Sequence, residues 1–170
     1  EKGRQLAAEY GAGRVYTDLD AFLADKEMNT VYIASPNLLH YEQTRKALLA
    51  GKHVICEKPF CTKADQAREL TALAKEKRLF LADAVPTAFL PNLEVLKREL
   101  PKVGKVRLVL GNYSQYSSRY DLVLQGEVPN VFNPEYGGGC LMDINFYNVY
   151  LNAALFGKPL SSVYYPNRRG

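Results

Sequence analysis

Two short turns carry the polar side chains best suited to chemistry. One is Ser35-Pro36-Asn37, which follows an apolar run and is followed three residues later by His40. The other is Glu57-Lys58-Pro59, where a carboxylate and an ammonium stand side by side after a second apolar run. Ligands of open parallel sheets bind beyond the carboxyl ends of the strands, where loops and helix starts present unpaired N–H groups. Both turns are therefore candidate ligand sites, although the same residue types also form simple connections and solvated charge pairs.

A third set of candidates follows the glycine run 137–139. Asp143 and Tyr147 are four residues apart, so a continuous helix places them on one face, with Asn145 off that face. A carboxylate at the start of an apolar helix needs a partner or the positive end of the helix dipole. Tyr147 is open to two interpretations: it exchanges a proton with a ligand, or it is one of the aromatic core residues of this helix.

Tyrosine is concentrated in the second half of the chain, since most of the 12 tyrosines follow residue 112. Tyr113, Tyr116, Tyr120 and Tyr136 fall on a predicted strand and the loop after it. Their rings could stack on a ligand or simply cover a sheet.

Helix and strand patterns alternate through the first half of the chain. Apolar runs at 30–34, 53–56 and 79–82 predict strands, and the stretches 38–50 and 63–75 between them predict helices. Helices are also predicted over 1–10 and over 18–23, where Asp18 is a suitable N-cap. This order implies right-handed βαβ units and hence an α/β fold, with a doubly wound parallel sheet that has helices on both faces.

The pattern changes after Asp83, where Pro86 and Pro91 interrupt the alternation. The later predicted elements are a helix over 92–100, a strand starting at 105 and reaching as far as 116, a loop over 117–136, a helix over 140–156 and a strand over 160–165. The first of these strands alternates its side chains between two faces, which suits an open sheet. We therefore predict two domains, 1–84 and 85–170, the second an α+β domain with an open, largely antiparallel sheet.

Both turns, with their strands, resemble a known family. The runs are Val31-Tyr32-Ile33-Ala34-Ser35-Pro36-Asn37-x-x-His40 and Ala50-Gly51-Lys52-His53-Val54-Ile55-Cys56-Glu57-Lys58-Pro59. They resemble the glucose-fructose oxidoreductase, inositol dehydrogenase and rhizopine-catabolism (Gfo/Idh/MocA) family of NAD(P)-dependent dehydrogenases. The runs 104–106 and 137–143 resemble the start of that family's second-domain sheet and its glycine-led active-site helix. The resemblance implies a partial Rossmann domain that binds NAD or NADP over 1–84 and a partial substrate-binding and oligomerisation domain over 85–170.

The resemblance also implies roles for the candidates in hydride transfer between a nicotinamide and a sugar, polyol or related hydroxyl or carbonyl substrate. Lys58 would sit beside the nicotinamide, where its three N–H donors could orient the reacting oxygen. The implied catalytic residues are Lys58, Asp143 and Tyr147. The implied cofactor contacts are Ser35, Pro36, Asn37, His40, Glu57 and Lys58, and the substrate contacts are Tyr113, Tyr116 and Asn145.

Two positions depart from the family's pattern. Tyr147 stands where the family typically has a histidine that acts as acid or base, and Ala88 stands where relatives often have an arginine. A tyrosine hydroxyl beside a lysine ammonium could still exchange a proton. Two other functions stay open: a dinucleotide-binding sensor without catalysis, and a glycosidase that uses a transient NAD-dependent oxidation.

Composition excludes several classes of protein. The net charge of +4 comes from 22 basic residues dispersed among 18 acidic ones, so a nucleic-acid partner is not expected. No stretch approaches the about 18 apolar residues of a membrane span, so we expect no membrane partner. The three cysteines cannot all pair and match no common zinc spacing, which predicts a reducing, cytoplasmic setting without a bound metal. An open second-domain sheet favours a homodimer or homotetramer.

One part of a complete dinucleotide site is missing from the sequence, namely a Gly-x-Gly-x-x-Gly turn between a strand and a helix. Gly11-Ala12-Gly13 lacks the third glycine and follows a helix. We therefore expect an internal fragment, without the first two strands and the C-terminal part of the family's fold, that is inactive by itself and binds NAD(P) weakly.

Overall fold

A computed structural model describes residues 2–165 of the chain. The chain forms two compact units, one ending at Ala84 and the other beginning at Val85. Glu1, the predicted start of the first helix, and the last five residues lie outside the described part.

The first unit contains a three-stranded parallel sheet in the order β1-β2-β3. Strand β1 spans Thr30–Ile33, β2 spans His53–Glu57 and β3 spans Leu81–Ala84. Ile33 is paired with Cys56, and Cys56 with Asp83, so the carboxyl ends of the strands lie along one edge. The predicted parallel α/β fold is confirmed.

Four α-helices belong to this unit: α1 (Lys2–Tyr10), α2 (Leu19–Leu23), α3 (His40–Leu49) and α4 (Ala64–Glu76). Asp18 caps α2 as expected, because its carboxylate accepts the Ala21 N–H at 2.7 Å. A short 3-10 helix, Asn37–Leu39, leads into α3.

Helices α3 and α4 lie on one face of the described sheet. Helices α3 and α4 connect successive neighbouring strands in the same direction, and right-handed connections of that kind lie on the same side of a sheet. Val31 and Ile33 point to this side and are buried, whereas Tyr32, on the other side, is 57% exposed. Helices α3 and α4 thus supply one face of the sheet, and the expectation of helices on both faces stays a prediction.

The core of the unit is a single apolar cluster contributed by the strands and helices on this side. Its buried members are Leu23, Val31, Ile33, Ala47, Leu48, Val54, Cys56, Leu70 and Ala74. Strand β3 begins two residues later than predicted. One reason is that the Phe80 N–H bonds the His53 ring instead of a backbone carbonyl of the sheet.

The second unit is helical in its described part. It contains α5 (Pro91–Glu99), α6 (Tyr120–Leu124), α7 (Cys140–Asp143) and α8 (Asn145–Phe156), with 3-10 helices at Pro86–Phe89, Leu100–Val103 and Pro134–Tyr136. Helix α6 lies inside the segment 117–136 that was predicted to be a loop.

The strands predicted over 105–116 and 160–165 do not form in the described part of the chain. A β-strand is defined by hydrogen bonds to a neighbouring strand, and no described residue of the second unit supplies one. Their apolar side chains are consequently exposed, to 87% at Leu110 and 74% at Val163. The predicted open antiparallel sheet is therefore not formed by residues 85–165.

The helix predicted over 140–156 is interrupted at Ile144, which separates α7 from α8. Beyond the break the Tyr147 N–H bonds the Ile144 carbonyl at 3.2 Å, three residues back, so the turn is tighter than in an α-helix. Asp143 therefore ends one helix and Tyr147 lies in the first turn of the next, unlike the continuous face that was expected.

No helix within residues 2–165 is long and apolar enough to cross a lipid bilayer. The same residues contain no group of three or more His, Cys, Asp or Glu side chains that could hold a metal ion.

Candidate functional site

The two predicted turns are neighbours at the carboxyl edge of the sheet, because β1 and β2 pair in parallel. The first turn is held by a hydrogen bond from the Ser35 hydroxyl to Gln43 Oε1 of α3, at 2.6 Å. Pro36 and Asn37 are partly buried beside it, and Asn37 opens the 3-10 helix. Helix starts of this kind direct N–H groups toward a ligand beyond the strand ends.

The His40 side chain links the two turns by contacting a backbone carbonyl oxygen of each. Its side chain is fully buried, its Nδ1 lies 2.9 Å from the Pro59 carbonyl oxygen, and its Nε2 lies 2.8 Å from the Ser35 carbonyl oxygen. Both ring nitrogens are thus occupied by backbone acceptors. The expected place of His40 along the cofactor crevice is not observed, because the helix turns its ring into the interior.

The second turn brings Glu57 and Lys58 to the end of β2. One carboxylate oxygen of Glu57 accepts a hydrogen bond from the Tyr32 hydroxyl, and the other accepts the Lys58 backbone N–H at 3.3 Å. The hydrogen bond to Glu57 raises the pKa of Tyr32. The Lys58–Pro59 peptide bond is cis. Glu57 thus orients the backbone at Lys58, and Tyr32, on the neighbouring strand, fixes Glu57.

Asp83 lies in β3, near the carboxyl edge of the sheet, and is paired with Cys56 of β2. Its Oδ1 is buried and has no hydrogen-bond partner. Burial raises the pKa of Asp83 to about 6, with His40 lowering it and Glu57 raising it. An unpaired buried carboxylate is costly unless a neighbouring charge compensates it.

The two cysteine thiols of this unit are weak nucleophiles. Burial raises the pKa of Cys56 to about 12 and the pKa of Cys61 to about 11. Because the thiolate is the nucleophile, neither side chain suits covalent catalysis near neutral pH.

Lys52 and His53, from the same sequence run as Glu57 and Lys58, serve the backbone. The buried Lys52 ammonium donates to the carbonyl oxygens of Asp25 and Met28, at 2.5 and 2.7 Å. His53 Nδ1 accepts the Phe80 N–H at 2.9 Å and so links β2 to the start of β3. These two side chains build the scaffold of the turn.

In the second unit, Asp143 and Tyr116 line one cavity of about 290 Å³. Two further aromatic residues, Tyr120 and Phe132, line it, together with Cys140 and Ile144. The Tyr116 hydroxyl donates to Asp121 at 2.6 Å, and this bond raises the pKa of Tyr116. A carboxylate among aromatic rings suits a ligand with hydroxyl groups and an apolar face.

The glycine run shapes this cavity. A Cβ on Gly138 would lie 2.5 Å from the Asn130 carbonyl oxygen and 2.7 Å from that of Val131. The Gly139 N–H bonds the Val131 carbonyl at 2.8 Å. The loop at 130–133 can therefore pack against the start of α7 only because residue 138 has no side chain.

The other predicted residues of this unit are arranged differently. Tyr113 and Tyr147 stack with their ring centroids 5.0 Å apart, and neither belongs to the lining of the 290 Å³ cavity. Asn145 accepts a hydrogen bond from the Asn148 amide at 3.1 Å. The structure thus groups Asp143 with Tyr116, and Tyr113 with Tyr147.

Three residues have a place at these sites that the sequence did not assign to them: Tyr32, Asp83 and Phe132. Tyr32 had a usable signal, since alternation along β1 puts it on the face opposite the buried Val31 and Ile33. Asp83 had a weaker one, a lone carboxylate ending an apolar run. Phe132 had none, because the loop that positions it has no periodicity.

The donor groups at the carboxyl edge fit part of a dinucleotide. The Ser35 hydroxyl, Asn37 amide and Lys58 ammonium are suited to the ribose and nicotinamide end. A glycine-rich turn for the pyrophosphate is absent from the 170-residue sequence, so these residues cannot supply the whole site.

The parallel sheet and its edge turns define a nucleotide-binding domain of the Rossmann class. Residues 1–83 match the model of the oxidoreductase family with an NAD-binding Rossmann fold. Through these residues the chain belongs to the Gfo/Idh/MocA oxidoreductase family, as the turn sequences predicted.

Named relatives agree with this assignment. The chain is 44% identical over 161 residues to an uncharacterized oxidoreductase, YgjR, of Escherichia coli, covering 95% of this chain and 49% of the relative. It is 43% identical over 159 residues to the scyllo-inositol 2-dehydrogenase (NADP(+)) IolU of Bacillus subtilis. This match covers 94% of this chain and 48% of the relative. The chain thus spans about half the length of these curated relatives.

Solved structures show the same fold. An apo scyllo-inositol dehydrogenase from Lactobacillus casei superposes with a TM-score of 0.72 at 20% identity, over 91% of this chain and 43% of that one. A biliverdin reductase from Synechocystis, solved with biliverdin and NADP+, gives a TM-score of 0.68 at 23% identity. The match covers 92% of this chain and 47% of the reductase.

Proposed function

We propose that the protein is an NAD(P)-dependent oxidoreductase that transfers a hydride between a nicotinamide and a sugar, polyol or related hydroxyl or carbonyl substrate. The observation that carries the proposal is the Glu57-Lys58 pair at the carboxyl edge of a Rossmann sheet, next to the Ser35 turn. Ligands of such sheets bind at this edge. The matched family, with its NAD-binding fold, supports the same cofactor.

Each side chain has a proposed task. Ser35, Pro36, Asn37 and Lys58 contact the cofactor, while Glu57 orients Lys58 through its backbone N–H. Lys58 donates hydrogen bonds to the reacting oxygen of the substrate and helps move its proton. The nicotinamide supplies the acceptor or donor of the hydride.

Substrate contacts are proposed for Tyr113, Tyr116 and Asn145, with Asp143 and Tyr147 as proton-transfer residues. Support comes from the cavity shared by Asp143 and Tyr116 and from the Tyr113–Tyr147 stack. Support for a polyol or sugar comes from relatives named for scyllo-inositol, at 43% identity, and for D-xylose, a dehydrogenase of Hypocrea jecorina at 35% identity. Both of these names specify NADP(+), which makes NADP+ the first cofactor to test.

We test this proposal in the natural full-length protein, with NAD+ and NADP+ and a panel of inositols, pentoses and hexoses. Lys58→Ala should lower kcat by about 10²- to 10⁴-fold, because it removes the group that handles the substrate proton. Tyr147→Phe should lower kcat by about 10²-fold for the same reason. Lys63→Ala, at an exposed lysine in the same loop, is the matched control and should retain activity.

Two results would contradict this function. A natural protein that binds dinucleotide but oxidises no member of the panel indicates the sensor. Release of free sugar from a glycoside without net NADH indicates the glycosidase.

We further propose a cytoplasmic homodimer or homotetramer. Free cysteines at positions 56, 61 and 140 suit a reducing compartment. Exposed apolar side chains along 105–110 provide surface for association. Light scattering coupled to size-exclusion chromatography measures the assembly, and a monomer at micromolar concentration would contradict it.

A further inference from the structure

Tyr32 and Glu57 share the face of the sheet that lies opposite helices α3 and α4. Side chains alternate between the two faces of a strand, and Val31 and Ile33 are buried on the helix side. Tyr32, between them, therefore points to the other face, where it is 57% exposed. It is paired with Ile55 of β2, and Glu57 lies two residues further along β2 on the same face. The Tyr32 side chain can thus reach forward to the carboxyl group at the end of the neighbouring strand.

Both carboxyl oxygens of Glu57 accept hydrogen bonds at the end of β2. Oε1 accepts from the Tyr32 hydroxyl, and Oε2 accepts the Lys58 backbone N–H at 3.3 Å. The hydrogen bond to Glu57 raises the pKa of Tyr32, so the phenol keeps its proton and stays the donor at neutral pH. A glutamate side chain has three rotatable bonds, and a hydrogen bond at one oxygen restricts where the other can lie. Tyr32 therefore limits the positions from which Glu57 can reach the Lys58 backbone.

We propose that Tyr32 is a positioning residue of the active site: its hydroxyl fixes the carboxyl group of Glu57 and, through it, the backbone that carries Lys58. This proposal deepens the proposed function and rests on it for the role of Lys58 in the reaction. The series of hydrogen bonds from Tyr32 through Glu57 to the Lys58 N–H does not depend on that function.

The hydroxyl of Tyr32 performs this task, because the ring has no hydrogen-bond donor for Glu57. Tyr32→Phe therefore removes the hydrogen bond and keeps the ring on the sheet. The chain offers a matched control on the helix side of the sheet: the Tyr41 hydroxyl of α3 donates to Glu69 of α4 at 2.7 Å, and this bond raises the pKa of Tyr41. Tyr41→Phe removes the same kind of hydrogen bond, but from a pair that joins two helices.

Hydrogen exchange of the ¹⁵N-labelled 170-residue chain, followed by nuclear magnetic resonance, tests the series without an assay of activity. We expect Tyr32→Phe to speed exchange of the Lys58 amide by about threefold or more, because Glu57 Oε2 is then held less firmly. The Val54 amide is hydrogen-bonded within the sheet and should keep its exchange rate. Tyr41→Phe should change neither amide. An unchanged Lys58 amide in Tyr32→Phe would overturn the proposal, and so would equal acceleration at Lys58 and Val54, which would indicate general destabilisation.

Kinetics test the positioning of Lys58 in the natural full-length protein. Tyr32→Phe should lower kcat by about 5- to 20-fold with less than about a threefold change in substrate KM, because displacement of a reacting group mainly affects the transition state. Tyr41→Phe should change kcat less than about twofold. Equal losses of kcat in the two variants would overturn the positioning role.

A double-mutant cycle shows whether Tyr32 acts through Glu57. Glu57→Ala removes the acceptor, so adding Tyr32→Phe to Glu57→Ala should lower kcat by less than about a further twofold. The same loss of kcat from Tyr32→Phe in both backgrounds would show that Tyr32 acts by another route and would overturn the proposal. If the natural protein proves inactive with both cofactors, the proposed function fails, while the exchange rate of the Lys58 amide still decides whether Tyr32 fixes Glu57.

Discussion

The two units of this chain differ in where their apolar side chains lie. In the first unit, nine residues of strands and helices form one buried cluster. Among the described residues of the second unit, Val85 and Leu93 are the buried hydrophobic side chains, and Leu108 and Leu110 are largely exposed. Successive βαβ units bury their faces against near neighbours in the sequence, whereas an open sheet needs strands from elsewhere. Nearby residues in the sequence are thus enough to bury the apolar side chains of a βαβ unit, but not those of an open sheet.

Deleting apolar volume should affect the two units very differently. Leu48 is fully buried in the cluster, so Leu48→Ala should lower the free energy of unfolding by roughly 2–5 kcal/mol. Leu110 is 87% exposed, and Leu110→Ala should change it by less than about 0.5 kcal/mol. Urea denaturation followed by circular dichroism measures both. Comparable losses would mean that the second unit has an apolar core involving Leu110 and would break the contrast.

Adding a methyl group should affect the second unit alone. Gly138→Ala forces a Cβ to within 2.5–2.8 Å of three backbone carbonyl oxygens and should destabilise this unit by about 2 kcal/mol. Hydrogen exchange should become faster at the start of α7 while the amides of β2 keep their protection. Gly13→Ala, where no atom lies within 4 Å of the added Cβ, is the control and should change neither. Faster exchange in β2 would show that the two units unfold together.

The smallest expected effect is a pH dependence confined to the first unit. The folded pKa of Asp83, about 6, lies above its ordinary value of 3.8, so its contribution to stability is complete below about pH 4 and is lost as the pH rises through about 6. Relative to the natural chain, Asp83→Asn should therefore gain on the order of 1 kcal/mol between pH 4.5 and pH 7.5, allowing for partial screening by solvent. Urea denaturation at both pH values measures this gain. A constant effect of Asp83→Asn at the two pH values would show that burial does not control this carboxyl group.

The same contrast explains which parts of the fold could be predicted from the sequence. Strand β2 was predicted to within one residue, because its apolar run ends at a turn and pairs with adjacent strands. The run at 105–116 has an equally regular pattern, yet strand pairing depends on a partner that the pattern does not specify. Its alternation therefore predicted a strand, but the described residues contain no partner strand for it.

The candidate site divides in a similar way. Motif residues such as Glu57 and Lys58 could be located from the sequence, since both follow an apolar strand. The direction of the His40 ring could not, because it depends on carbonyl groups 5 and 19 residues away. The break at Ile144 was not predicted either: Asp143 and Asn145 beside it are weak helix formers, but such residues also occur inside helices and do not fix a break.

The sequence run from Ala50 to Pro59 performs two separable tasks. Lys52 and His53 hold neighbouring backbone, while Glu57 and Lys58 lie at the carboxyl end of the strand, where the proposed site is. A descendant of this protein could therefore lose Lys58, and with it the chemistry, while selection for a stable sheet kept the preceding residues unchanged. Inheritance of the run consequently guarantees the architecture more firmly than the reaction, and under the proposed function Lys58 is the residue by which an active lineage can be told from a silent one.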